Sequence, residues 1–369
     1  MKKQTAWKLI SDLLDWDEAE LSSEMSAMQL LADLKYDRYQ GFQPAAKFHI
    51  ALINWLKQFS LVEQRRTAYD FLKERLIFIS QKEMYHLVSL MMPAVERSMR
   101  RRISDELGIQ FYQTWLNHEA EKKLKILLRK TLFVGLSDGA RIDVFRRFNE
   151  GSVSNEQVVP YSEISGEKWE DLVKELRKSL DKKGFHNEPE KFDTVCLVDD
   201  FTGSGSSLIR YKNGEWKGKI KKFFEANHHR IGSELSSTCR IHVHHHLASD
   251  FAKNEISERI KSFAITHDKF GFDVTYSHVL PGNIVIDSDD TASDLCQLLI
   301  DHYDAKIEDE HVEDSVCFGY KGCGLPLVLD HNTPNNSVAL LWAQSGDNVG
   351  VNHTMKPLFA RRKRHSSDG

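Results

Sequence analysis

The residues of this chain best suited to chemistry lie between residues 195 and 207. An apolar run, Val195–Val198, leads directly into two adjacent carboxylates, Asp199 and Asp200. A loop of glycine and hydroxyl residues follows at 202–207, with the sequence TGSGSS. The apolar run predicts a buried parallel strand, and the loop is typical of one that leads into a helix N-terminus, where backbone N–H groups favour an anion. The stretch therefore predicts a phosphate site with two carboxylates at its rim.

The details of the loop exclude the two commonest phosphate-binding loops. A Walker loop ends in Gly-Lys-Ser/Thr, and this loop has no lysine. A dinucleotide fingerprint requires a third glycine, and Leu208 stands at that position. Asp199 and Asp200 would repel a bare pyrophosphate, but they suit a ligand whose ribose hydroxyls or Mg²⁺ they bind while the loop holds one 5′-phosphate. The alternative is a strand-to-helix turn whose aspartates only cap a helix and whose glycines only turn the chain.

The segment VCLVDDFTGSGSS resembles the phosphoribosyl-pyrophosphate (PRPP) motif of type I phosphoribosyltransferases. The resemblance implies that Asp199 and Asp200 are catalytic residues that face the ribose, and that they are candidate ligands of Mg²⁺, the implied cofactor. The ligand implied is PRPP or a nucleotide with a ribose 5-phosphate group. The implied phosphate-binding residues are Thr202, Gly203, Ser204, Gly205, Ser206 and Ser207.

A second strand–loop–helix unit is predicted upstream, with a strand at 131–136, the sequence SDGAR at 137–141 and a helix at 142–148. In type I phosphoribosyltransferases a loop of this placement holds pyrophosphate. The pyrophosphate-loop candidates are therefore Ser137, Asp138, Gly139 and Arg141. Gly139 would allow close backbone approach, Asp138 would reach Mg²⁺, and Arg141 would pair with a phosphate. The alternative is a helix N-terminus capped by Ser137 or Asp138, with Arg141 on the surface.

Two further polar segments each allow a functional and a structural interpretation. The segment 330–337 lies between two apolar runs and is either a long turn or a loop that recognises a second substrate, with Asn332, Thr333, Asn335 and Asn336 as candidates. A strand at 240–247 would place His242, His244 and His246 on one face. Three imidazoles suit a metal, but no carboxylate completes a site, so a polar strand end is favoured.

The alternation of strands and helices beyond residue 126 predicts an α/β fold with a mostly parallel twisted sheet. Further strands are predicted at 194–198 and 272–279, and a short helix is predicted directly after the phosphate loop, ended by Asn213-Gly214. Helical spacing of apolar residues predicts an all-helical region over 1–125, including residues 63–79.

Three segments together, FVGLSDGARID, LVDDFTGSGSS and LDHNTPNNSVALLWA, resemble a divergent bacterial phosphoribosyltransferase-like family found in predicted conflict or defence gene neighbourhoods. The resemblance implies a type I phosphoribosyltransferase fold and a role as a transferase effector in antiphage defence. It divides the chain into a helical N-terminal region (1–125), an α/β domain (126–350) and a basic C-terminal tail (351–369). Two other functions remain open: a non-catalytic PRPP or nucleotide sensor, and an effector that hydrolyses nucleotides.

The composition is that of an ordinary globular protein: 41% of the 369 residues are hydrophobic, 28% are charged, and the formal net charge is −4. This charge gives no support to nucleic-acid binding, although basic runs at 97–102 and 361–365 leave that partner open. The helical N-terminal region is a candidate surface for a protein partner. No apolar run spans a bilayer, no signal peptide is predicted, and the five cysteines indicate reduced thiols in a cytoplasmic protein with no membrane partner.

Overall fold

The computed structural model describes residues 2–41, 48–160, 164–267, 270–307, 315–345 and 355–361. The helices are α1 Lys3–Leu14, α2 Glu18–Leu34, α3 Phe48–Leu56, α4 Val62–Glu74, α5 Gln81–Ser89, α6 Met91–Leu107, α7 His118–Arg129, α8 Ile142–Phe148, α9 Gly166–Lys182, α10 Lys219–Asn227, α11 Asp250–Thr266, α12 Asp294–Asp301 and α13 Ala339–Trp342. The strands are β1 Ile77–Ile79, β2 Thr131–Gly135, β3 Val158–Pro160, β4 Phe192–Thr202, β5 Arg210–Lys212, β6 Glu215–Lys217, β7 Leu235–Ser249, β8 Gly271–Leu280 and β9 Leu327–Leu329.

The chain forms two compact units. The terminal unit combines Met1–Glu83 with Gly282–Gly369, and the central unit is Met84–Pro281. The terminal unit is mainly helical, with a two-stranded parallel sheet of β1 and β9. The domain boundaries predicted from the sequence, after residues 125 and 350, stay a prediction.

The central unit contains a five-stranded sheet in the order β3-β2-β4-β7-β8, and all four pairings are parallel. This confirms the predicted fold class, a mostly parallel sheet preceded by a helical N-terminal region. The helix predicted at 142–148 is α8, with the same bounds. The strand predicted at 194–198 is longer at both ends, because β4 continues through both aspartates to Thr202.

Helices cover both faces of this sheet, which is why its strands are continuous apolar runs. Successive residues of β4 point to opposite faces. Val195 and Leu197 pack in a cluster with residues of α9, α10 and α11, whereas Cys196 and Val198 pack in a second cluster with residues of α6, α7 and α8. All four side chains are fully buried. Asp199 and Asp200 continue this alternation, so their side chains point to opposite faces of the sheet.

The short helix predicted after the phosphate loop is wrong. Residues 210–217 form an antiparallel hairpin of β5 and β6, turned by Asn213-Gly214. Both turn residues have positive φ, at 56° and 81°. A two-residue turn of this kind matches the twist of paired strands, and Asn-Gly is its preferred sequence. The helix begins only after the hairpin, at Lys219.

The helix predicted over 63–79 is also wrong at its end. Helix α4 stops at Glu74, and Ile77–Ile79 form β1, which pairs in parallel with β9. The partner strand lies some 250 residues further along the chain. Local periodicity carries no information about such a distant partner, and the β-branched and aromatic residues of β1 suit a strand.

The basic run in α6 is partly internal rather than a free cationic surface. Arg100 is only 4% exposed, and its guanidinium pairs with Glu96 and Glu121. Burial lowers the pKa of Arg102. Nucleic-acid binding by this run stays a prediction, as does the role of the basic tail, whose residues 362–369 lie outside the described part of the chain. None of the helices in the described residues is long and apolar enough to cross a membrane.

His242, His244 and His246 of β7 share one face, as predicted, and the first two form a hydrogen-bonded chain with β8. His242 Nε2 and His244 Nδ1 lie 2.7 and 2.9 Å from the hydroxyl of Thr275, and His244 Nε2 lies 3.0 Å from that of Ser277. The Ser277 hydroxyl donates to the Leu87 carbonyl, so it accepts from His244 Nε2–H, and His244 Nδ1 in turn accepts from Thr275.

The acceptor role of His244 Nδ1 requires a neutral imidazole, and burial lowers the pKa of His244 well below its ordinary value and that of His242 to about 4. Within the described ranges, no group of three or more histidine, cysteine, aspartate or glutamate residues is arranged to hold a metal. The five cysteines are all free and buried.

The buried histidines predict acid sensitivity. The pKa of folded His242 lies below that of an unfolded histidine, about 6.5. Between pH ~6.5 and ~4 the unfolded chain therefore binds a proton that the folded chain does not, and each such histidine destabilises the fold by about 1.4 kcal/mol per pH unit as pH falls. His242 is surrounded by Asp273 on β8, Arg102 on α6 and Arg240 on β7, and burial dominates its shift.

Denaturant titrations between pH 7 and 4 measure this slope. His242→Gln, which does not titrate, should reduce the slope by about 1.4 kcal/mol per pH unit. The exposed His229→Gln serves as the control. Equal slopes in the two variants would contradict the assignment.

Candidate functional site

The candidate site lies where the connections of the parallel sheet change direction. From β2 the chain passes through α8 to β3, on one side of β2, whereas from β4 it passes through α10 to β7, on the other side of β4. The loops that follow these two neighbouring strands therefore diverge. In open α/β sheets a crevice forms at this point, outside the carboxyl ends of the strands, and ligands bind there. Both predicted phosphate loops lie at this edge of the sheet.

Asp199 is more deeply placed than the sequence suggests. It lies within β4, opposite His245 of β7, and is 4% exposed. Its Oδ1 accepts a hydrogen bond from Ser137 Oγ at 2.5 Å, and its Oδ2 forms an ion pair with Lys219 Nζ. Burial and the neighbouring charge of Asp200 raise the pKa of Asp199, while Lys219 and Ser137 act in the opposite direction. The structure thus joins one phosphate-site candidate, Asp199, to one pyrophosphate-loop candidate, Ser137.

Asp200 faces the other layer and is half-buried. It lies against the backbone of Gly139: a Cβ placed on Gly139 would overlap the Asp200 carboxylate. The lack of a side chain at Gly139 leaves room for the Asp200 carboxylate. The predicted role of Gly139, close backbone approach to a pyrophosphate, stays a prediction. Asp138 is exposed beside it, and Arg141 is half-buried with a positive φ of 51° at the start of α8.

The carbonyl groups of the loop 203–207 are all bound by protein donors. Gly203 O accepts from Ser249 Oγ at 2.6 Å, and Gly205 O accepts from the backbone N–H groups of Leu208 and Ile209. Ser204 O accepts from Arg259 Nη1, and Ser206 O accepts from Arg210 Nη1. Ser207 O accepts from the backbone N–H of Lys219. The carbonyls of the loop are therefore turned toward the protein.

The N–H groups of the same loop are less fully used. Gly205 N–H donates to Thr202 Oγ1 at 3.2 Å, and Ser206 N–H is 3.5 Å from Ser204 Oγ. The N–H groups of Ser204 and Ser207 donate to no group in the described part of the chain. A concave run of backbone N–H groups whose carbonyls point away is an anion-binding arrangement. Ser207 is exposed, whereas the side chains of Thr202, Ser204 and Ser206 are buried.

Lys219 is the residue of this site that sequence reasoning missed. It lies outside the phosphate motif, at the first position of α10 and beyond a hairpin that the sequence pattern did not predict. Gly218 precedes it with a φ of 118°, and a Cβ there would come 2.5 Å from Leu208 O. This close approach brings the start of α10 back to the loop. The only available signal was the Asn-Gly pair at 213–214, which predicts a hairpin.

Two buried histidines lie beneath the site. His246 Nε2 donates to Ala140 O at 2.9 Å, so it supports the loop that carries Gly139. His245 stacks on Tyr276 with ring centroids 6.2 Å apart, on the face of Asp199. Burial lowers the pKa of both, that of His245 to about 3. Both imidazoles are therefore neutral near pH 7.

The second-substrate candidates belong to the terminal unit. Thr333 is fully buried, and its hydroxyl donates to Phe359 O at 3.1 Å. Asn336 Nδ2 donates to Tyr320 O at 3.2 Å, while the carbonyl of Asn335 accepts from the Tyr320 N–H at 2.6 Å. Asn332 closes the turn after β9 through hydrogen bonds between its backbone and that of Leu329. These contacts hold the turn together, and recognition of a second substrate by this segment stays a prediction.

The donor set fits a magnesium ion that arrives with its ligand. Asp199 is buried and engaged by Lys219 and Ser137, whereas Asp200 is half-buried and Asp138 is exposed, so Asp200 and Asp138 are the more exposed carboxylates of the two loops. Mg²⁺ commonly takes one or two carboxylates and completes its shell with substrate phosphates and water. Asp200 and Asp138 would serve in this way, without a cage of protein ligands.

The glycine at the centre of the phosphate loop predicts a stability difference. Gly205 has a φ of +70°, and a Cβ there would lie 2.7 Å from Ile256 Cγ1. Gly184 has a similar φ, +76°, with nothing within 4 Å, so Gly184→Ala isolates the backbone strain. We expect Gly205→Ala to cost about 1–3 kcal/mol more than Gly184→Ala, the range for overpacking. Denaturant unfolding measures both; equal losses would show that Ile256 does not constrain the loop.

Comparison with known proteins gives one result that bears on the identity of the chain. A search of curated proteins and a search of solved structures find no match. The sequence profile of the PRTase-CE family matches residues 52–361, which include both loops of the site and most of the chain. The chain therefore belongs to the PRTase-CE family of phosphoribosyltransferase-like proteins.

Proposed function

We propose that the central unit binds PRPP, or a nucleotide with the same ribose 5-phosphate group, and transfers the phosphoribosyl group to an acceptor with release of pyrophosphate. The observation that carries this proposal is the loop 203–207, whose carbonyls are bound by the protein while the N–H groups of Ser204 and Ser207 stay available beside two carboxylates. Membership of the PRTase-CE family supports the same ligand class. We place the activity in the cytoplasm, where its five thiols would stay reduced.

The 5′-phosphate is held by the loop. Backbone N–H groups of Ser204 and Ser207 supply fixed donors, and the hydroxyls of Ser206 and Ser207 add further ones. Because each carbonyl of 203–207 is already bound, the loop does not have to reorganise to present its N–H groups. Prearranged donors of this kind favour an anion at little cost in conformational entropy.

The aspartates act on the ribose. As the bond between the anomeric carbon and the pyrophosphate oxygen breaks, its electron pair leaves with pyrophosphate and positive charge develops on the sugar. Carboxylates fixed beside the ribose stabilise this charge, and the acceptor then bonds to the anomeric carbon. Asp200, half-buried at the crevice, contacts the hydroxyls directly, whereas Asp199 requires a change in its pairing with Lys219.

The loop at 137–141 takes the pyrophosphate. Gly139 brings its backbone against Asp200, so the two loops face a common ligand, and Arg141 supplies a guanidinium for the phosphate oxygens. Mg²⁺, when bound with the ligand, would neutralise negative charge on the pyrophosphate. His246 keeps the loop in place through Ala140 O.

A non-catalytic sensor is the second candidate, and one observation favours it. Both carboxylate oxygens of Asp199 are already engaged within the protein, as they would be if this residue shaped the pocket without taking part in turnover. In that case PRPP binds and no pyrophosphate appears.

The two candidates are separated by one assay. We expect calorimetric titration to show PRPP binding with Mg²⁺, and Asp200→Asn to weaken it by roughly tenfold or more, as expected for loss of a charged hydrogen-bond partner. Asp143→Asn, at an exposed position of α8, is the matched control. Pyrophosphate release with a panel of bases and nucleophiles identifies a transferase. Binding without release identifies a sensor, and no binding of PRPP or nucleotides overturns both.

We extend the proposal to the role in bacterial antiphage defence that the sequence resemblance implies. If the site performs this role, cells that express the chain should reduce phage plating, and Asp199→Asn with Asp200→Asn should abolish the reduction. Immunoblotting must show equal amounts of the two proteins. Protection that is unaffected by the double substitution would separate the biological role from this site.

A further inference from the structure

We infer that Lys219 is a ligand of the 5′-phosphate. Until the phosphate binds, the ion pair with Asp199 holds the lysine at the edge of the site. This inference rests on the proposed function, because it assigns a further residue to the same phosphate site. It is independent of whether the bound ligand is turned over.

The position of Lys219 is fixed by its main chain. Its backbone N–H donates to Ser207 O at 3.0 Å, and the next N–H, of Ile220, donates to Leu208 O at 3.1 Å. Gly218, directly before α10, also lies close to the backbone of Leu208 at the end of the loop. The first turn of α10 is therefore attached to the last residues of the phosphate loop, and the lysine belongs to the loop structurally although eleven residues separate it from Ser207.

The side chain of Lys219 crosses the loop. Its main chain lies at the end of the loop, while its ammonium pairs with Asp199, which precedes the loop in β4. The side chain is 31% exposed, whereas that of Asp199 is 5% exposed. The ammonium is thus paired with a buried carboxylate while part of the lysine side chain stays exposed, and a turn of this side chain would let the ammonium exchange one anionic partner for another.

Electrostatic interactions favour movement of the Lys219 ammonium toward a bound phosphate. A 5′-phosphate on the N–H groups of Ser204 and Ser207 brings a second anion close to Asp199, and like charges in a partly buried site repel strongly. Lys219 can lie between the two anions. The other cations at the loop are already bound to its carbonyls, since Arg210 donates to Ser206 O and Arg259 donates to Ser204 O and Ile209 O.

A lysine in this position also accounts for the composition of the loop. The loop 202–207 contains no cationic side chain, yet a phosphate dianion is bound most strongly by charge-assisted hydrogen bonds. A cation supplied from the start of α10 fills this need. When the ammonium turns to the phosphate, Asp199 keeps its hydrogen bond from Ser137 and its other oxygen becomes available to a ribose hydroxyl.

The test must separate phosphate binding from simple neutralisation of Asp199. Lys219→Met alone leaves a buried carboxylate without its ion-pair partner and lowers stability for that reason, so the comparison is made in the Asp199→Asn background. Calorimetric titrations with PRPP, with and without Mg²⁺, are performed on the wild type, on Asp199→Asn and on Asp199→Asn with Lys219→Met. Lys222→Met, on the exposed face of the same helix, is the control.

If Lys219 binds the phosphate, adding Lys219→Met to Asp199→Asn weakens PRPP affinity by roughly a further tenfold to hundredfold, the range of a charge-assisted hydrogen bond. Lys219→Arg in the same background retains most of the affinity, and Lys222→Met changes it less than about twofold. Equal affinities of the single and double variants overturn this inference and leave the proposed function intact. Failure of the wild type to bind PRPP overturns the proposed function itself.

Discussion

The parallel pairing of β4 with β2 on one side and β7 on the other is the constraint on which the site depends. The pairing with β2 ends at Val198, whereas the pairing with β7 continues through Asp199 to Thr202, so β4 carries both aspartates to the carboxyl edge of the sheet. Because neighbouring residues of a strand point to opposite faces, the two carboxylates are separated into different layers. One becomes buried beside Lys219, and the other faces the loop that contains Gly139.

Because both faces of the sheet are buried, the layer that each carboxylate occupies decides which partners it contacts. A carboxylate at 4% exposure needs partners, and Asp199 has a hydroxyl and an ammonium, both supplied by segments distant in sequence. The same burial keeps the histidines of β7 neutral, which lets them act as directional hydrogen-bond donors and acceptors. His246 is the point at which this buried polar face meets the candidate pyrophosphate loop, through Ala140 O. The stability of the central unit and the geometry of its site therefore rest on common interactions.

Sequence reasoning succeeded where the signal is local. The apolar run before Asp199 specified the central strand, the Gly/Ser run specified a loop with glycine at a positive φ, and the 3.6-residue periodicity specified most helices of the N-terminal region. It failed where a distant partner decides the structure. Strand β1 needs β9, and the hairpin after the phosphate loop required weighting the Asn-Gly turn above the helix-like residues around it.

The sequence by itself determined the fold class and the family resemblance and singled out a candidate phosphate loop, because these follow from contiguous patterns of apolar, acidic and small residues. Only the tertiary structure decided that Asp199 is buried and paired with Lys219 while Asp200 is half-buried on the opposite face, since this depends on which face of the sheet each side chain occupies and on what packs against it. It also decided that Lys219 belongs to the site. Nothing near Lys219 in sequence marks it, and its place is set by the hydrogen bonds that return α10 to the loop.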